Sequence, residues 1–203
     1  NVKGYQGFGV GRDDGKKGGE FVPVFFRTER FSLIDKGTFW LSLTPEISGS
    51  VGWDAALTRI CTWVRLREFS SGFEFYFLNA HFDHMGDTAR AESAKLILDF
   101  IEKETNGLPI ILTGDFNCSP DDEPYRVFTV NGTGLTDACT IAGTEPECRE
   151  GTYNGWGNEK NPQRIDMVFY KGNWEASSYE VLKIKEGEMF VSDHWPVSVS
   201  LKA

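Results

Sequence analysis

The alternation of apolar and polar residues predicts a protein built mainly of strands. Apolar runs bounded by segments rich in glycine, serine, asparagine or charged residues predict strands at 21–30, 31–44, 58–67, 73–80, 110–112, 164–170, 177–183 and 197–201. We expect a turn at residues 35–37 and a hairpin turn at residues 70–72. The run FEFYFLNA is apolar at nearly every position, which favours a central place in its sheet.

One long helix is predicted over residues 88–105, where four apolar side chains share one face: Ala94, Ile97, Leu98 and Ile101. Asp87 or Thr88 could cap it, and Asn106-Gly107 ends it. The strand at 110–112 follows at once, so this part of the chain is a strand–helix–strand passage. A second, short helix is predicted at 123–130. Many strands with few helices favour an α+β fold of two packed sheets with helices outside.

Length and charge limit the class of protein. The 203 residues suit a single domain, 1–203, that buries its own core. The apolar runs are too short for a transmembrane segment, and we expect a monomer. The formal net charge of −9 at pH 7 argues against a general polyanion binder and suits carboxylates gathered around a divalent metal. The chain starts at Asn1 without a methionine, which indicates a processed, truncated or partial sequence.

The cysteines and a glycosylation motif bear on the compartment. Cys139 and Cys148 flank a short loop and could form a disulfide, whereas Cys61 lies in a strand pattern typical of a buried thiol. The sequon Asn131-Gly132-Thr133 is a potential glycan acceptor. Together these features favour a secreted or exported protein.

Polar residues stand at the ends of several predicted strands: Glu20, His81, Asp115, Asn117, Asp166, Asp193 and His194. Each has a simpler interpretation when taken alone. Aspartate and asparagine often form turns, and a lone histidine at a sheet edge is more often structural than catalytic. Asp166 interrupts the apolar run RIDMVFY, and a buried acid is costly unless it is paired. The repetition of the pattern is what indicates a site.

The chain resembles the endonuclease/exonuclease/phosphatase superfamily of metal-dependent phosphoesterases. Four motifs carry the resemblance in order: NAHFDH (79–84), LTGDFNCSP (112–120), RIDMVFY (164–170) and SDHWPV (192–197). The segments GVGRDDG, GWDAAL-R and DH-G--AR are similar to those of small, largely uncharacterised members. The resemblance implies the DNase I-like four-layer sandwich, with two mostly antiparallel or mixed sheets between helices.

The resemblance also implies roles around Mg²⁺ or Mn²⁺. Asp166 would hold His194, which touches the scissile phosphate or activates water. Asp115 would bind or deprotonate the attacking water and contribute to the metal site, and Asn117 would orient water and phosphate. Asp193 would hold metal, directly or through water. Carboxylates and water are the ligands these ions prefer.

Further residues are less specific. The resemblance pairs Glu20 with His81 and makes Arg59 a phosphate contact, although an ion pair at the edge of the core explains Arg59 equally well. Trp156 is a candidate for stacking on a substrate base or sugar, against the simpler possibility of packing. Arg90 is better explained by a structural ion pair, and Asp83 by a polar turn.

Two departures from the family pattern affect the metal site and the substrate. The family's first metal-binding glutamate lies upstream of anything present here, so we expect about fifty further residues before Asn1. In the loop at 11–19, Asp13 and Asp14 would face phosphates and are only partly offset by Lys16 and Lys17, which makes duplex DNA a poor substrate.

Three functions therefore remain in competition. The first is a metal-dependent phosphoesterase, with a phosphodiesterase or nuclease favoured over a monoesterase. The second is a non-catalytic binding module on the same fold. The third is a phosphatase of phospholipids or inositol phosphates. The substrate, whether nucleic acid, nucleotide, phospholipid or sugar phosphate, is left open by the sequence.

Overall fold

A six-stranded mixed sheet forms the centre of the computed structural model, which describes residues 2–130, 132–142 and 148–203. Twelve strands and three α-helices are found in that part of the chain: β1 (Tyr5–Phe8), β2 (Val24–Arg27), β3 (Phe31–Trp40), β4 (Ile60–Glu68), β5 (Glu74–His81), α1 (Asp87–Glu104), β6 (Ile110–Asp115), α2 (Glu123–Thr129), β7 (Thr136–Asp137), α3 (Ala138–Ala142), β8 (Asp166–Lys171), β9 (Glu175–Val181), β10 (Lys185–Glu186), β11 (Met189–Phe190) and β12 (Val197–Lys202). The central sheet has the order β3-β4-β5-β6-β8-β7. The predicted α+β class is confirmed.

The strand–helix–strand passage places three strand ends side by side. β5 and β6 are parallel, and β8 runs antiparallel to β6, so His81 lies opposite Asp115 and Asp115 lies opposite Asp166. Gly114 is needed for this approach, because a Cβ at that position would lie 2.2 Å from the carbonyl oxygen of Ala80. The register thus gathers two carboxylates and an imidazole at one edge of the sheet.

Helix α1 covers one face of the central sheet. Its predicted apolar stripe is confirmed in part: Ala94, Ile97 and Ile101 are buried against Leu78 and Leu112, whereas Leu98 packs at the margin. Burial of an isoleucine side chain such as Ile97 or Ile101 stabilises the fold by about 1.5–3 kcal/mol.

The predicted end of α1 at Asn106-Gly107 is confirmed, but the predicted N-cap is wrong. The N-cap residue is Gly86, which has no side chain that could accept a capping hydrogen bond. The carboxylate of Asp54, in a distant loop, instead accepts hydrogen bonds from the backbone N–H groups of Thr88 (3.2 Å) and Ala89 (2.6 Å). A carboxylate from outside the helix satisfies the same exposed donors, so local sequence could not identify it.

Two small sheets cover the other face. The β1–β2 hairpin buries Val24 and Phe26 against β4 and β5, and the β9–β12 pair packs against β8 and α3. β12 also contributes to the wall of an apolar groove of about 490 Å³, which includes Phe75 and Trp174. None of the described helices is long and apolar enough to cross a membrane.

The turn expected at residues 35–37 is not formed. β3 is a continuous strand with a bulge between Leu33 and Asp35, and its pairing with β4 continues through Gly37, which lies opposite Trp63. A Cβ at Gly37 would lie 2.7 Å from the Trp63 ring. The glycine therefore accommodates a neighbouring ring rather than reversing the chain.

Cys139 and Cys148 form a disulfide, and Cys61 is buried and free. Of the sequon, Asn131 lies outside the described residues. The compartment therefore stays a prediction.

Candidate active site

The site lies at the edge of the central sheet where β5, β6 and β8 end. His81 is the last residue of β5, Asp115 the last of β6 and Asp166 the first of β8. His194 comes from the segment before β12, whose backbone pairs with Tyr153. The rings of His194 and Tyr153 meet edge to face with their centroids 5.0 Å apart.

Asp166 and His194 form a hydrogen-bonded pair. His194 Nδ1 lies 2.7 Å from Asp166 Oδ2, so Nδ1 donates to the carboxylate and Nε2 points elsewhere. Thr152 joins the two segments: its hydroxyl accepts from the backbone N–H of Asp166 at 3.0 Å, and its carbonyl accepts from Trp195 at 2.7 Å. Asp166, which as a buried acid was expected to need a partner, is thus paired with His194.

Asp115 lies between the two histidines. Its Oδ2 atom is 3.4 Å from His81 Nε2 and 3.9 Å from His194 Nε2, while Oδ1 accepts from the backbone N–H of Asn117 at 2.9 Å. Asn117 adopts a left-handed backbone with φ 46°, and its amide donates to the carbonyl of Phe82 at 3.0 Å. Asparagine tolerates this conformation better than most residues, which explains the tight turn after β6.

The surroundings set these groups to different protonation states. Burial, and then the neighbouring charge of Asp166, raise the pKa of Asp115 to about 6. Burial lowers the pKa of His194, but the hydrogen bond to Asp166 and the nearby carboxylates outweigh it and raise that pKa above its usual value. Burial, Arg59 and Arg12 lower the pKa of His81 to about 3. Near neutral pH, His81 is therefore neutral, and His194 carries a proton more readily than a free histidine.

Asp115, Asp166 and His194 could hold a metal ion. Each offers one ligand atom, and these atoms lie within 4.8 Å of one another. Two carboxylates fit a hard divalent cation, and the raised pKa of Asp115 shows negative charge that a cation would stabilise. Asp193 is outside this group; its carbonyl accepts from the backbone N–H groups of Asn154 and Gly155 at 2.7 and 3.1 Å. Its predicted metal role stays a prediction.

The opposite wall of the pocket carries two arginines. Arg59 is only 4% exposed, its Nε donates to Asp83 Oδ1 at 3.2 Å, and its Nη2 lies 2.9 Å from His84 Nδ1. Arg12 donates from Nη1 to Glu20 Oε2 at 2.5 Å. Both arginines line a pocket of about 460 Å³ together with His81, Asp115, Asn117 and His194.

Two other predicted site residues are placed differently from expectation. Glu20 Oε2 is 3.7 Å from His81 Nδ1, beyond hydrogen-bond distance, because the carboxylate is bound by Arg12 instead. Trp156 is 57% exposed on a 3₁₀ turn, Gly155–Gly157, and is not part of the pocket wall. Its stacking role stays a prediction.

Three residues of this region carried no site role in the sequence interpretation: Arg12, Asp83 and Tyr153. Arg12 lies in GVGRDDG, which was noted only as a similarity, whereas Asp83 lies in NAHFDH, one of the four motifs that carry the resemblance. Asp83 also links the segments GWDAAL-R and DH-G--AR. Asp83 accepts from Arg59 and from four backbone N–H groups, those of Ala56, Leu57, Met85 and Gly86.

Comparison with known proteins decides the family. The model of the endonuclease/exonuclease/phosphatase family matches residues 5–194. The chain belongs to this family. Members of the endonuclease/exonuclease/phosphatase family are hydrolases of phosphate esters and generally depend on a divalent metal, and the strand-end residues of this chain form a site suited to that chemistry.

Solved structures of the endonuclease/exonuclease/phosphatase family confirm the DNase I-like fold. A mannosyl-6-phosphatase from Bacteroides thetaiotaomicron VPI-5482 is 39% identical with a TM-score of 0.89, and the match covers 100% of this chain and 78% of that one. A family member from Bacteroides vulgatus is 34% identical with a TM-score of 0.92, covering 99% of this chain and 77% of that one.

Among curated proteins, a putative neutral sphingomyelinase from Drosophila melanogaster is 32% identical over 140 residues, which are 62% of this chain and 31% of that protein. An uncharacterised protein of Acanthamoeba polyphaga mimivirus is 19% identical over 192 residues. The chain thus spans less than a third of the length of the curated relatives it matches, 31% and 27%.

Proposed function

We propose that the protein hydrolyses phosphate esters with Mg²⁺ or Mn²⁺ by in-line attack of water. The observation that carries the proposal is the cluster of Asp115, Asp166 and His194, whose ligand atoms lie within 4.8 Å of one another. The cluster offers carboxylates for a cation beside an imidazole that can meet the phosphate. The neighbouring arginines complete a pocket with separate cation-binding and anion-binding walls.

When bound at Asp115 and Asp166, the metal would supply positive charge to the phosphate oxygens. The protein would move the protons. Asp115 accepts a proton from the attacking water as the water oxygen bonds to phosphorus and the ester P–O bond breaks. His194 donates from Nε2 to the departing oxygen, giving an alcohol and a phosphate group. The 3.9 Å between His194 Nε2 and Asp115 Oδ2 then allows the proton to return.

Two neighbours would hold these groups in place, and a third would contact the substrate. Asp166 fixes the ring of His194 through Nδ1 at 2.7 Å, and Asn117 fixes Asp115 through its backbone N–H at 2.9 Å. His81, neutral near neutral pH, is in position to contact a phosphate oxygen. Such positioning of acid and base groups contributes about 10²- to 10⁴-fold to a rate.

Metal removal is the direct test. We expect the full-length protein to hydrolyse at least one ester in a screen of nucleic acids, nucleotides, sugar phosphates and phospholipids. Sugar phosphates and phospholipids enter the screen because similar proteins are named a mannosyl-6-phosphatase and a putative neutral sphingomyelinase. Excess chelator should abolish turnover, and added Mg²⁺ or Mn²⁺ should restore it, because the acidic cluster needs a cation to receive an anion.

Calorimetric titration of Mn²⁺ into the wild type and into Asp166→Asn separates binding from catalysis. We expect the variant to bind the metal about tenfold or more weakly. Full turnover in excess chelator would refute the metal-dependent mechanism. The absence of both turnover and metal binding at millimolar concentration would instead favour the non-catalytic binding module.

A further inference from the structure

The two arginines of the pocket have donor groups left over after their structural contacts. This inference rests on the proposed phosphoesterase function and concerns which esters fit the site. Arg59 uses Nε for Asp83 and Nη2 for His84, while Nη1 is buried and has no hydrogen-bond partner among the described residues. A buried donor without a partner costs about 1–3 kcal/mol, so a ligand oxygen that satisfies it would bind favourably.

Arg12 repeats the pattern from a different part of the chain. It donates from Nη1 to Glu20, while Nε is buried and has no hydrogen-bond partner in the described part of the chain. Its nearest further carboxylate, that of Asp13, lies 3.9 Å from Nε. Each guanidinium is therefore held by one acid, both arginines line the same pocket, and each keeps a buried donor without a partner among the described residues.

The loop that carries Arg12 is firmly built. Its backbone closes on itself through Gly11 N–H to Lys16 O at 3.1 Å and Asp13 N–H to Gly18 O at 3.0 Å. The Asp13 side chain accepts from the Thr58 hydroxyl at 2.7 Å, next to Arg59 in sequence. A Cβ at Gly11 would lie 2.2 Å from the carbonyl oxygen of Gly18. The loop thus fixes Arg12 beside Arg59 before any substrate arrives.

This arrangement suits a phosphate group with a third terminal oxygen and a second negative charge. A phosphodiester is a monoanion with two non-bridging oxygens. A metal bound at the acidic cluster and the histidines can contact both of these oxygens. A phosphomonoester near neutral pH is largely a dianion with a third terminal oxygen, which needs further donors. Guanidinium groups bind such oxygens strongly because donor and acceptor are both charged.

The surroundings also favour a small substrate over a polymer. The pocket of about 460 Å³ is within the range of sites for small molecules. Beside it, Asp13 and Asp14 are exposed residues of the Arg12 loop. A nucleic acid passing through the site would place further phosphates near these acids, which would repel them.

We propose that Arg12 and Arg59 form a two-arginine phosphate site that selects small phosphomonoesters over phosphodiesters. The proposal departs from the preference for a phosphodiesterase or nuclease that the sequence suggested. It assigns Arg12 a substrate contact and gives Arg59 a selective role in addition to its ion pair with Asp83.

Paired substrates test the proposal. With Mn²⁺ present, we expect the full-length wild type to have a higher kcat/KM for p-nitrophenyl phosphate than for bis(p-nitrophenyl) phosphate. Arg12→Gln and Arg59→Lys should lower kcat/KM for the monoester about 10- to 100-fold, the value of a charged hydrogen bond. The diester should change less than about threefold. Lys17→Gln removes a positive charge from the same loop outside the pocket and should change neither.

A second readout does not need turnover. In the presence of Mg²⁺, both arginine variants should bind inorganic phosphate more weakly than the wild type and than Lys17→Gln in a calorimetric titration. Circular dichroism checks the fold, and Arg12→Gln decides if Arg59→Lys fails to fold. A diester preference, or equal losses on both esters, would overturn the selectivity while leaving the phosphoesterase function intact. The phosphoesterase function fails only if the wild type hydrolyses neither of these esters nor any ester of the wider screen. Phosphate binding unaffected by Arg12→Gln would overturn the two-arginine site.

Discussion

Asp115→Asn should lower kcat/KM by about 10³-fold while leaving the fold as stable as before or more so. The substitution preserves shape, and the new side-chain oxygen can still accept from the backbone N–H of Asn117. The substitution removes the carboxylate that accepts the proton. In the wild type, Asp115 Oδ2 lies between the two histidines, 3.4 Å from His81 Nε2 and 3.9 Å from His194 Nε2. The substitution also removes one of the two carboxylates of the metal cluster.

The expected gain in stability follows from the raised pKa of Asp115. Burial and the charge of Asp166 raise the pKa of Asp115 to about 6 in the folded protein. An acid whose pKa is raised in the folded state makes the fold less stable as pH rises from its unfolded pKa to its folded pKa, because the ionised form is disfavoured in the folded state. The full loss of stability applies at any pH above the folded value. Without metal, Asp115→Asn should therefore raise the free energy of unfolding at neutral pH, by about 1–2 kcal/mol after allowance for solvent screening.

Steady-state kinetics with Mn²⁺ and urea unfolding in chelator measure the two effects. Asp121→Asn is the matched control: the same chemical change at an exposed residue of the loop that follows β6, expected to alter kcat/KM less than about twofold and stability within about 0.5 kcal/mol. A variant of Asp115 that keeps its activity contradicts the catalytic assignment. A variant that loses activity only because it unfolds contradicts the electrostatic explanation.

The strand ends were the predictable part of this site. Asp115 and Asp166 stand beside apolar runs, and such runs reveal buried strands without knowledge of the tertiary fold. The order of the motifs, taken with the resemblance, then places them together. What the pattern does not contain is register: that Asp115 lies opposite both His81 and Asp166 depends on a glycine that allows β6 to approach β5.

The anion-binding wall was less predictable because loops position it. Arg12 and Glu20 lie on either side of a turn with no hydrophobic periodicity, so their hydrogen bond depends on how the loop closes. Glu20, which the resemblance pairs with His81, has Oε2 at 3.7 Å from His81 Nδ1 and at 2.5 Å from Arg12 Nη1, so its carboxylate lies between the histidine and the arginine. The cap of α1 failed for a similar reason: Asp54 is far from the helix in sequence.

Asp83→Asn is expected to be the most destabilising single substitution in the region of the site, by about 3–5 kcal/mol. Asp83 is 1% exposed and accepts hydrogen bonds from Arg59 and from the backbone N–H groups of Ala56, Leu57, Met85 and Gly86. These partners belong to the loop before β4 and to the turn just before α1, so one carboxylate joins both segments to an arginine. An amide can accept only part of this set and leaves Arg59 as a buried charge without its acid.

The pH dependence of stability distinguishes this carboxylate from a surface acid. Burial raises the pKa of Asp83, but the backbone hydrogen bonds and Arg59 outweigh it and hold that pKa well below its usual range. A lowered folded pKa stabilises the protein above the unfolded pKa, and this stabilisation is lost as pH falls towards the folded value. In urea unfolding between about pH 5 and pH 2, the wild type should lose stability more steeply than Asp83→Asn.

Asp87→Asn is the matched control for this prediction, because Asp87 lies at the start of α1 and its side chain is 91% exposed. That variant should stay within about 0.5 kcal/mol of the wild type and keep the wild-type pH slope. A small effect of Asp83→Asn, or a slope equal to that of the wild type, would show that Arg59 is held by its other contacts. Loss of both stability and monoester turnover would tie the buried acid to the arginine that it positions at the phosphate.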